Sequence, residues 1–274
     1  MPDPAVAAAC LHVLVGRTGV GLDSADLGPA RARRWWIRGR RIGSIERAAA
    51  FIDDVGFALL FTTPKTIAPT LWEAVAGEDA EPFATGMGVS EQKVWTWKDE
   101  LPRRRLAWYG TFLAGRGSLL SPTLLNGLYS GAGDVDDHES FELSSTAHEI
   151  ARALAGGPVP SAELRRLIGD RYRYQRGIAE LQRRLLVTSA GVQQNQTGWP
   201  SVLLELTCER FDVGSGADDT YSARRYLDTM LVAAPTDLSR AFRWPATRAR
   251  DCLDELESAG EATRDGGRYR FRPG

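Results

Sequence analysis

Two stretches of the chain repeat the same order of secondary-structure signals, one in residues 163–206 and the other in residues 237–271. In each stretch a short amphipathic helix is followed by a turn, a longer helix and two strands around a glycine-containing tip. Apolar residues recur at matching positions, which are Leu164 and Leu238, Ile168 and Phe242, and Leu181 and Leu256. We expect these positions to be buried, so the repeat predicts two copies of one packed unit, a winged helix-turn-helix.

The repeat predicts the class and the domain organisation of the whole chain. We expect a mainly helical protein with short β-hairpins, an α+β protein of tandem winged helix-turn-helix units. Glycine-rich and polar stretches divide the 274 residues. The predicted parts are an N-terminal extension (1–30), a first domain (31–133), a second winged helix (141–211) and a third winged helix (220–274).

Local signals predict several boundaries within these parts. A helix is expected over residues 31–41 and a buried strand over residues 55–61. Ser, Thr and a Ser-Pro pair mark helix starts. The predicted N-cap residues are Ser44, Ser121, Thr146, Ser161 and Thr236. Tryptophan side chains of the first domain are expected in a core or a shared interface. They are Trp72, Trp95, Trp97 and Trp108.

Composition excludes several classes of protein. The formal net charge is −1, and no apolar run approaches the ~20 residues that span a bilayer. The three cysteines are far apart, which supports neither a disulfide framework nor a cysteine metal site. The histidines His12, His138 and His148 lack the spacing of metal ligands. We therefore expect a cytoplasmic protein that carries no metal ion and no cofactor and contacts no membrane.

Arginine is concentrated in two runs, although the chain as a whole is almost neutral. Six arginines lie in residues 31–41, and seven lie in residues 165–184. Basic faces on a neutral chain are typical of proteins that bind a polyanion. Solvated helix faces are the alternative interpretation of each run.

The second unit carries the strongest signal for contact with double-stranded DNA. In helix-turn-helix proteins the helix after the turn enters the major groove, and arginine and glutamine can bind base edges or phosphates. The candidate residues on this helix are Arg171, Arg173, Tyr174, Gln175, Arg176, Arg183 and Arg184, and those on the following tip are Gln194 and Gln196. The alternative is that Tyr172 or Tyr174 belongs to the core and that the arginines are only solvated.

The third unit gives a weaker signal for DNA contact. Its long helix has Arg248 and Arg250 but also several acidic residues, which repel phosphate. Arg268 on its hairpin is a further candidate for phosphate contact. A structural or dimerising role of this unit remains an open alternative.

Signals for catalysis are sparse. The chain contains no P-loop, GxGxxG, HExxH or GxSxG motif. Adjacent ionisable residues in the first domain give weak catalytic candidates, which are Asp53, Asp54, Asp99 and Glu100. A surface turn is the alternative interpretation of the last two residues.

Five segments of the chain resemble one known family. They are Phe51–Phe61, Thr70–Val75, Trp97–Pro102, Tyr109-Gly110 and Ser121. They are similar to segments of the AlkZ-related group of winged-helix DNA-binding proteins, relatives of the AlkZ-type DNA glycosylases. The resemblance implies tandem winged helices around a cleft, with residues 31–133 as a first winged-helix-like domain. It also implies excision of alkylated bases or unhooking of crosslinks as the family's activity.

One motif implied by the resemblance is missing. AlkZ-type glycosylases resemble one another in a Gln-x-Gln or Gln-x-Asp motif that positions the attacking water. The matching stretch, Gly56–Phe61, has neither a glutamine nor a carboxylate, and its apolar side chains accept no proton. The leading hypothesis is a DNA-binding protein linked to DNA repair without glycosylase activity. The alternatives are a glycosylase with other catalytic residues and a protein-interaction scaffold, while the oligomeric state stays open.

Overall fold

The computed structural model describes residues 24–63, 66–78, 86–194 and 200–273. Helix α1 (Ser24–Arg34) is followed by three units that share one topology. Each unit has a three-stranded antiparallel sheet in which the third strand lies between the first and the second. The predicted α+β class is confirmed, and the repeat occurs three times.

The first unit is the copy that the sequence pattern did not show. Its elements are α2 (Ile45–Val55), β1 (Phe57–Leu59), α3 (Leu71–Ala76), α4 (Val89–Arg103), β2 (Trp108–Thr111) and β3 (Gly117–Leu120), followed by α5 (Pro122–Leu128). Short 3₁₀ turns cover Leu113–Gly115 and Asp137–Ser140. The second turn lies in the polar stretch before the second unit, where Asp137 and His138 are buried.

The second and third units have the same order of helix, strand, helix, helix, strand and strand. The second consists of α6 (Ser145–Leu154), β4 (Val159–Pro160), α7 (Ser161–Ile168), α8 (Arg171–Arg183), β5 (Val187–Gln193) and β6 (Ser201–Leu206), followed by α9 (Thr207–Arg210). The third consists of α10 (Asp219–Met230), β7 (Val232–Ala233), α11 (Pro235–Phe242), α12 (Ala246–Ser258), β8 (Ala262–Asp265) and β9 (Arg268–Phe271). Gly266 and Gly267 both have positive φ, as the tight turn between β8 and β9 requires.

The repeated apolar positions form the core, as the sequence predicts. All six residues of the three matched pairs are at most 9% exposed. The core continues from one unit to the next, because Phe57 of β1 stacks on Tyr226 of α10 with ring centroids 5.5 Å apart. The first and third units therefore share buried aromatic surface.

The helix predicted for residues 31–41 is wrong in its bounds. Helix α1 begins at Ser24 and ends at Arg34, so it includes Gly28 and Pro29, which locally favour a turn. Contacts with the third unit outweigh that preference. The guanidinium of Arg34 lies 2.8 Å from the Asp228 carboxylate, and the indole N–H of Trp35 donates to the Thr229 carbonyl at 2.8 Å.

Two of the five predicted N-caps are confirmed, and three are wrong. Ser44 and Ser121 accept hydrogen bonds from the backbone N–H three residues later. The N-cap residues of the other three helices are Ser144, Pro160 and Ala234 in place of Thr146, Ser161 and Thr236. Thr146 is buried inside α6, and the Asp237 carboxylate caps α11 by accepting from the Ala234 N–H.

The tryptophans are mostly buried, with one exception. Trp72 and Trp108 are at most 3% exposed, and Trp97 packs against the core. Trp95 is 51% exposed, so the prediction of a core position is wrong for it. The Lys98 ammonium lies 4.7 Å from the Trp95 ring centroid, which gives this surface ring a cation–π contact. None of the helices in the described ranges is long and apolar enough to cross a membrane.

Candidate nucleic-acid interface

Helices α4, α8 and α12 occupy the same place in the three units, directly before the last two strands. This is the helix that enters the major groove in helix-turn-helix proteins. Their charges differ. Helix α8 has four arginines and one glutamate, α12 has two arginines and four acidic residues, and α4 has equal numbers of basic and acidic residues. A polyanion is therefore favoured at α8 alone among the three.

The C-terminal end of α4 is covered by the second unit. The Arg210 guanidinium donates to the carbonyls of Pro102 and Arg103 at 3.1 and 3.2 Å. Next to it, the Thr188 hydroxyl on β5 accepts a hydrogen bond from the Tyr109 N–H and donates one to the Tyr109 carbonyl, both at 3.2 Å. Helix α4 is thus part of the contact between the first and second units.

Helix α12 uses its charged residues for contacts within its own unit. Arg248 pairs with the Asp219 carboxylate of α10, and Asp254 accepts hydrogen bonds from the Tyr269 hydroxyl and from Arg264. Arg250 is exposed and lies beside Asp251. These carboxylates would repel a phosphate backbone at this face.

Helix α8 begins after a turn of two residues. Gly169 has φ +71°, and the Asp170 carboxylate then caps α8 by accepting from the Arg173 N–H at 2.6 Å. One side of α8 is buried through Tyr174, Gly177 and Leu181. Gly177 permits close packing on α6, because a Cβ there would lie 2.9 Å from Cδ1 of Ile150.

The first turns of α8 are exposed except at one residue. Arg171, Tyr172, Arg173, Gln175 and Arg176 are exposed, and Tyr172 reaches 73%. Tyr174 is only 8% exposed and belongs to the hydrophobic core, so its prediction as a DNA contact is wrong. Its ring is required for packing, since it lies on the face that α8 turns toward the core.

The arginines of this surface differ in their partners. Arg173 donates to the Thr146 hydroxyl at 3.1 Å, and Arg176 pairs with Glu180 at 3.2 Å. Arg184 lies 5.5 Å from the Phe141 ring centroid. Among the described residues, the side chains of Arg171, Gln175 and Arg183 have neither a hydrogen-bond partner nor an ion-pair partner.

A second basic residue approaches the C-terminal end of α8 from the third unit. Burial, followed by the positive charge of Arg183, lowers the pKa of the Arg243 guanidinium. Arg243 itself donates to the Phe112 carbonyl of the first unit at 3.4 Å, and Arg116 of the adjacent turn is exposed. Arg183 of the second unit and Arg243 of the third unit therefore lie near each other at this end of α8.

The arginines of the other predicted basic run, residues 31–41, mostly pair with groups of the protein itself. Arg34, Arg38 and Arg40 pair with carboxylates at 2.5 to 3.3 Å. On the hairpin of the third unit, Arg268 is 56% exposed and lies 3.9 Å from Asp237. On the hairpin of the second unit Gln194 is exposed, whereas Gln196 lies outside the described residues.

The catalytic candidates are held in separate structural contacts. Asp54 accepts from the Trp36 indole N–H at 2.5 Å and from Arg40 at 3.2 Å. Asp99 pairs with Lys98 at 2.6 Å, and the hydrogen bond from Arg103 lowers the pKa of Glu100. Partial burial raises the pKa of Asp53, whose backbone carbonyl accepts a hydrogen bond from Arg225. No contact among the described residues joins the two adjacent pairs.

The fold brings together three side chains that the sequence spacing did not connect. His138 and Glu139 from the 3₁₀ turn meet His148 of α6, and their potential ligand atoms all lie within 4.8 Å of one another. The structure therefore brings together two histidines whose spacing in the sequence is not that of metal ligands. The signal was absent from the sequence because the contact depends on how the 3₁₀ turn packs on α6.

Three tandem units of one topology define an α+β protein whose shared core links successive units. The family model described as AlkZ related matches residues 42–227, and the chain belongs to this family. A solved structure, the DNA glycosylase AlkZ of Streptomyces sahachiroi, is similar in fold with a TM-score of 0.53. The two are 14% identical, and the match covers 89% of this chain and 68% of that chain. The comparison with curated proteins gave no match.

Proposed function

We propose that this protein binds double-stranded DNA through the exposed surface of α8 and acts in DNA repair without excising a base. The observation that carries the proposal is the difference among three equivalent helices. Helix α4 is covered at its end, α12 is acidic, and α8 is basic and exposed. Membership of the AlkZ-related family and a fold like that of a DNA glycosylase support DNA as the partner.

The three units are proposed to be winged helices, with the domains at residues 31–133, 141–211 and 220–274. Their order of elements and the sheet order in each unit support this assignment. In that arrangement the N-terminal half of α8 enters the major groove, where Gln175 can bind adenine and Arg171 can bind a phosphate at the edge of the groove. The rise of a helix separates Arg171 from Arg183 by roughly 18 Å, so the two bind phosphates at different places along the duplex.

The side chains best suited to this role are those without an internal partner. Arg171 and Arg183 can bind phosphate without giving up a protein contact, whereas Arg176 must first leave Glu180. Exposed ion pairs are worth about 0.2–1 kcal/mol, so that exchange costs little. The proposed DNA-binding surface is therefore centred on Arg171 and Arg183, with Arg173 and Arg176 as secondary contacts.

Base excision is not part of the proposal, because the stretch at the place of the glycosylase motif lacks that motif and belongs to the core. Phe57, Ala58 and Leu59 of β1 are at most 1% exposed. The Phe57 ring lies 5.5 Å from Tyr226 and 6.2 Å from Phe242, measured between ring centroids. These apolar side chains neither accept a proton nor leave room for an attacking water. We also propose a cytoplasmic location.

A direct test measures binding of a fluorescently labelled duplex by anisotropy. A double variant that carries both Arg171→Gln and Arg183→Gln should weaken binding by roughly tenfold or more at moderate salt, since two phosphate contacts are lost. Arg250→Gln on the equivalent helix α12 is the matched control and should leave binding unchanged. A scaffold without DNA affinity would show no binding of the duplex even at low salt.

The absence of base excision is tested separately. Incubation with duplexes that carry alkylated bases, followed by cleavage at abasic sites, should give no product above background. Product that forms with the wild-type protein and is lost in Asp53→Asn would overturn this part of the proposal. Duplex binding would stand independently of that result.

A further inference from the structure

Two histidines and one glutamate meet where the first unit joins the second. His138 and Glu139 lie in the 3₁₀ turn Asp137–Ser140, and His148 lies in the first turns of α6. Nε2 of His138 is 3.2 Å from Oε1 of Glu139, and Nδ1 of His148 is 3.7 Å from Oε2. The two imidazole ring centroids are 5.6 Å apart.

The hydrogen bond on the far side of His138 determines which ring nitrogen is free. Nδ1 of His138 lies 3.1 Å from the Val135 carbonyl oxygen. A carbonyl only accepts, so Nδ1 carries the hydrogen and Nε2 presents its lone pair in the neutral ring. His138 is 3% exposed, so this lone pair is directed into the protein.

The lone pair of His138 has no donor. Nε2 of His138 and Nδ1 of His148 are both buried and lack a hydrogen-bond partner. Oε1 of Glu139 does not satisfy Nε2 of the neutral His138 ring, because a carboxylate oxygen is also an acceptor. Buried acceptors facing one another are costly unless a cation lies between them.

We propose that His138, Glu139 and His148 bind one divalent transition-metal ion of the zinc class. Two imidazoles and a carboxylate, completed by water, are a ligand set that zinc uses. Zn–N bonds of about 2.0–2.1 Å place neighbouring ligand atoms roughly 3.4 Å apart in a tetrahedron. The present separations, all within 4.8 Å, need only a small inward movement of the side chains.

Neighbouring groups already orient the ligands as metal sites require. The Val135 carbonyl fixes the His138 ring, and Arg152 donates to Oε1 of Glu139 at 2.8 Å. Oε1 of Glu139 is thus held by Arg152, and Oε2 lies 3.7 Å from Nδ1 of His148. An ion held here would join the 3₁₀ turn to α6 and stabilise the junction of the two units.

Isothermal titration calorimetry of the full chain with zinc chloride, after removal of metal by EDTA, tests the site. The wild type should bind one ion, and His148→Gln and Glu139→Gln should each weaken binding by roughly tenfold or more. Glu149→Gln removes the same charge from the exposed residue after His148 and should have no effect. Circular dichroism verifies that each variant is folded.

A titration with cobalt identifies the ligands independently of affinity. The site should give visible d–d absorption of bound Co²⁺ in the wild type and in Cys208→Ser, and none in His148→Gln. A thiolate-to-cobalt charge-transfer band would assign the ion to cysteine and overturn the proposal. Equal zinc affinity in the wild type and His148→Gln, or no saturable binding, would also overturn it.

Discussion

Asp137 is the central acceptor of the ordered segment between the first and second units, and its replacement by asparagine should destabilise the protein strongly. One carboxylate oxygen accepts from the Ala132 N–H at 2.7 Å. The other accepts from the Tyr129 hydroxyl at 2.7 Å and from the N–H groups of Gly133 and Asp134 at 2.9 and 3.1 Å. The side chain is 6% exposed, so water does not replace these bonds.

An asparagine side chain at this position would have the same shape but only one acceptor oxygen. In Asp137→Asn the amide NH₂ must face a backbone N–H, and the remaining bonds lose their charge assistance. A buried donor without a partner costs about 1–3 kcal/mol, and bonds to charged groups are worth about 1.5–3 kcal/mol against about 1 kcal/mol for neutral ones. We expect the free energy of unfolding to fall by about 3 kcal/mol.

Urea denaturation followed by tryptophan fluorescence measures this loss, and Tyr129→Phe is the reference. Removing the Tyr129 hydroxyl deletes one bond and leaves the three N–H groups paired, so about 1 kcal/mol should be lost. In a thermal scan Asp137→Asn should melt roughly 6–12 °C below the wild type. A loss no larger than that of Tyr129→Phe would refute the role assigned to Asp137.

Two further predictions concern the backbone and alkaline stability. Gly214 has φ +101°, and a Cβ would collide with the Ala132 carbonyl, so Gly214→Ala should cost about 2–4 kcal/mol in urea denaturation. Gly260→Ala, with φ +78° and open space, should cost about 1 kcal/mol. Burial, followed by Asp99, raises the pKa of Tyr109 to about 12. Because the unfolded phenol ionises near pH 10, stability should fall between about pH 10 and 12, and less in Tyr109→Phe.

The sequence predicted the repeat because core positions are visible as apolar periodicity. Leu164 and Leu238 are both buried, and the helices around them lie where the pattern places them. The first copy was not visible because its equivalent helices, α3 and α4, are separated by residues 77–88, whereas a two-residue turn joins α7 to α8. A long insertion hides a repeat that packing preserves.

The candidate site was predicted in part, and its errors have physical causes. The exposed arginines of α8 were identified from their place after the turn, but the sequence left open whether Tyr174 is a core residue or a DNA contact, since a tyrosine suits both roles. Asp54 was named as a catalytic candidate because its ion pairs with Arg34 and Arg40 depend on tertiary contacts, which the sequence does not show. The contact of His138 with His148 arises in the same way.

The salt dependence of duplex binding tests the central claim most directly. Each phosphate contact contributes a slope of about 0.9 to the fall of log K with log salt concentration. The double variant with both Arg171→Gln and Arg183→Gln should therefore reduce the slope by about 1.8 relative to the wild type, while Arg250→Gln should leave the slope unchanged. Equal salt-dependence slopes for the wild type and this double variant would contradict DNA binding through α8.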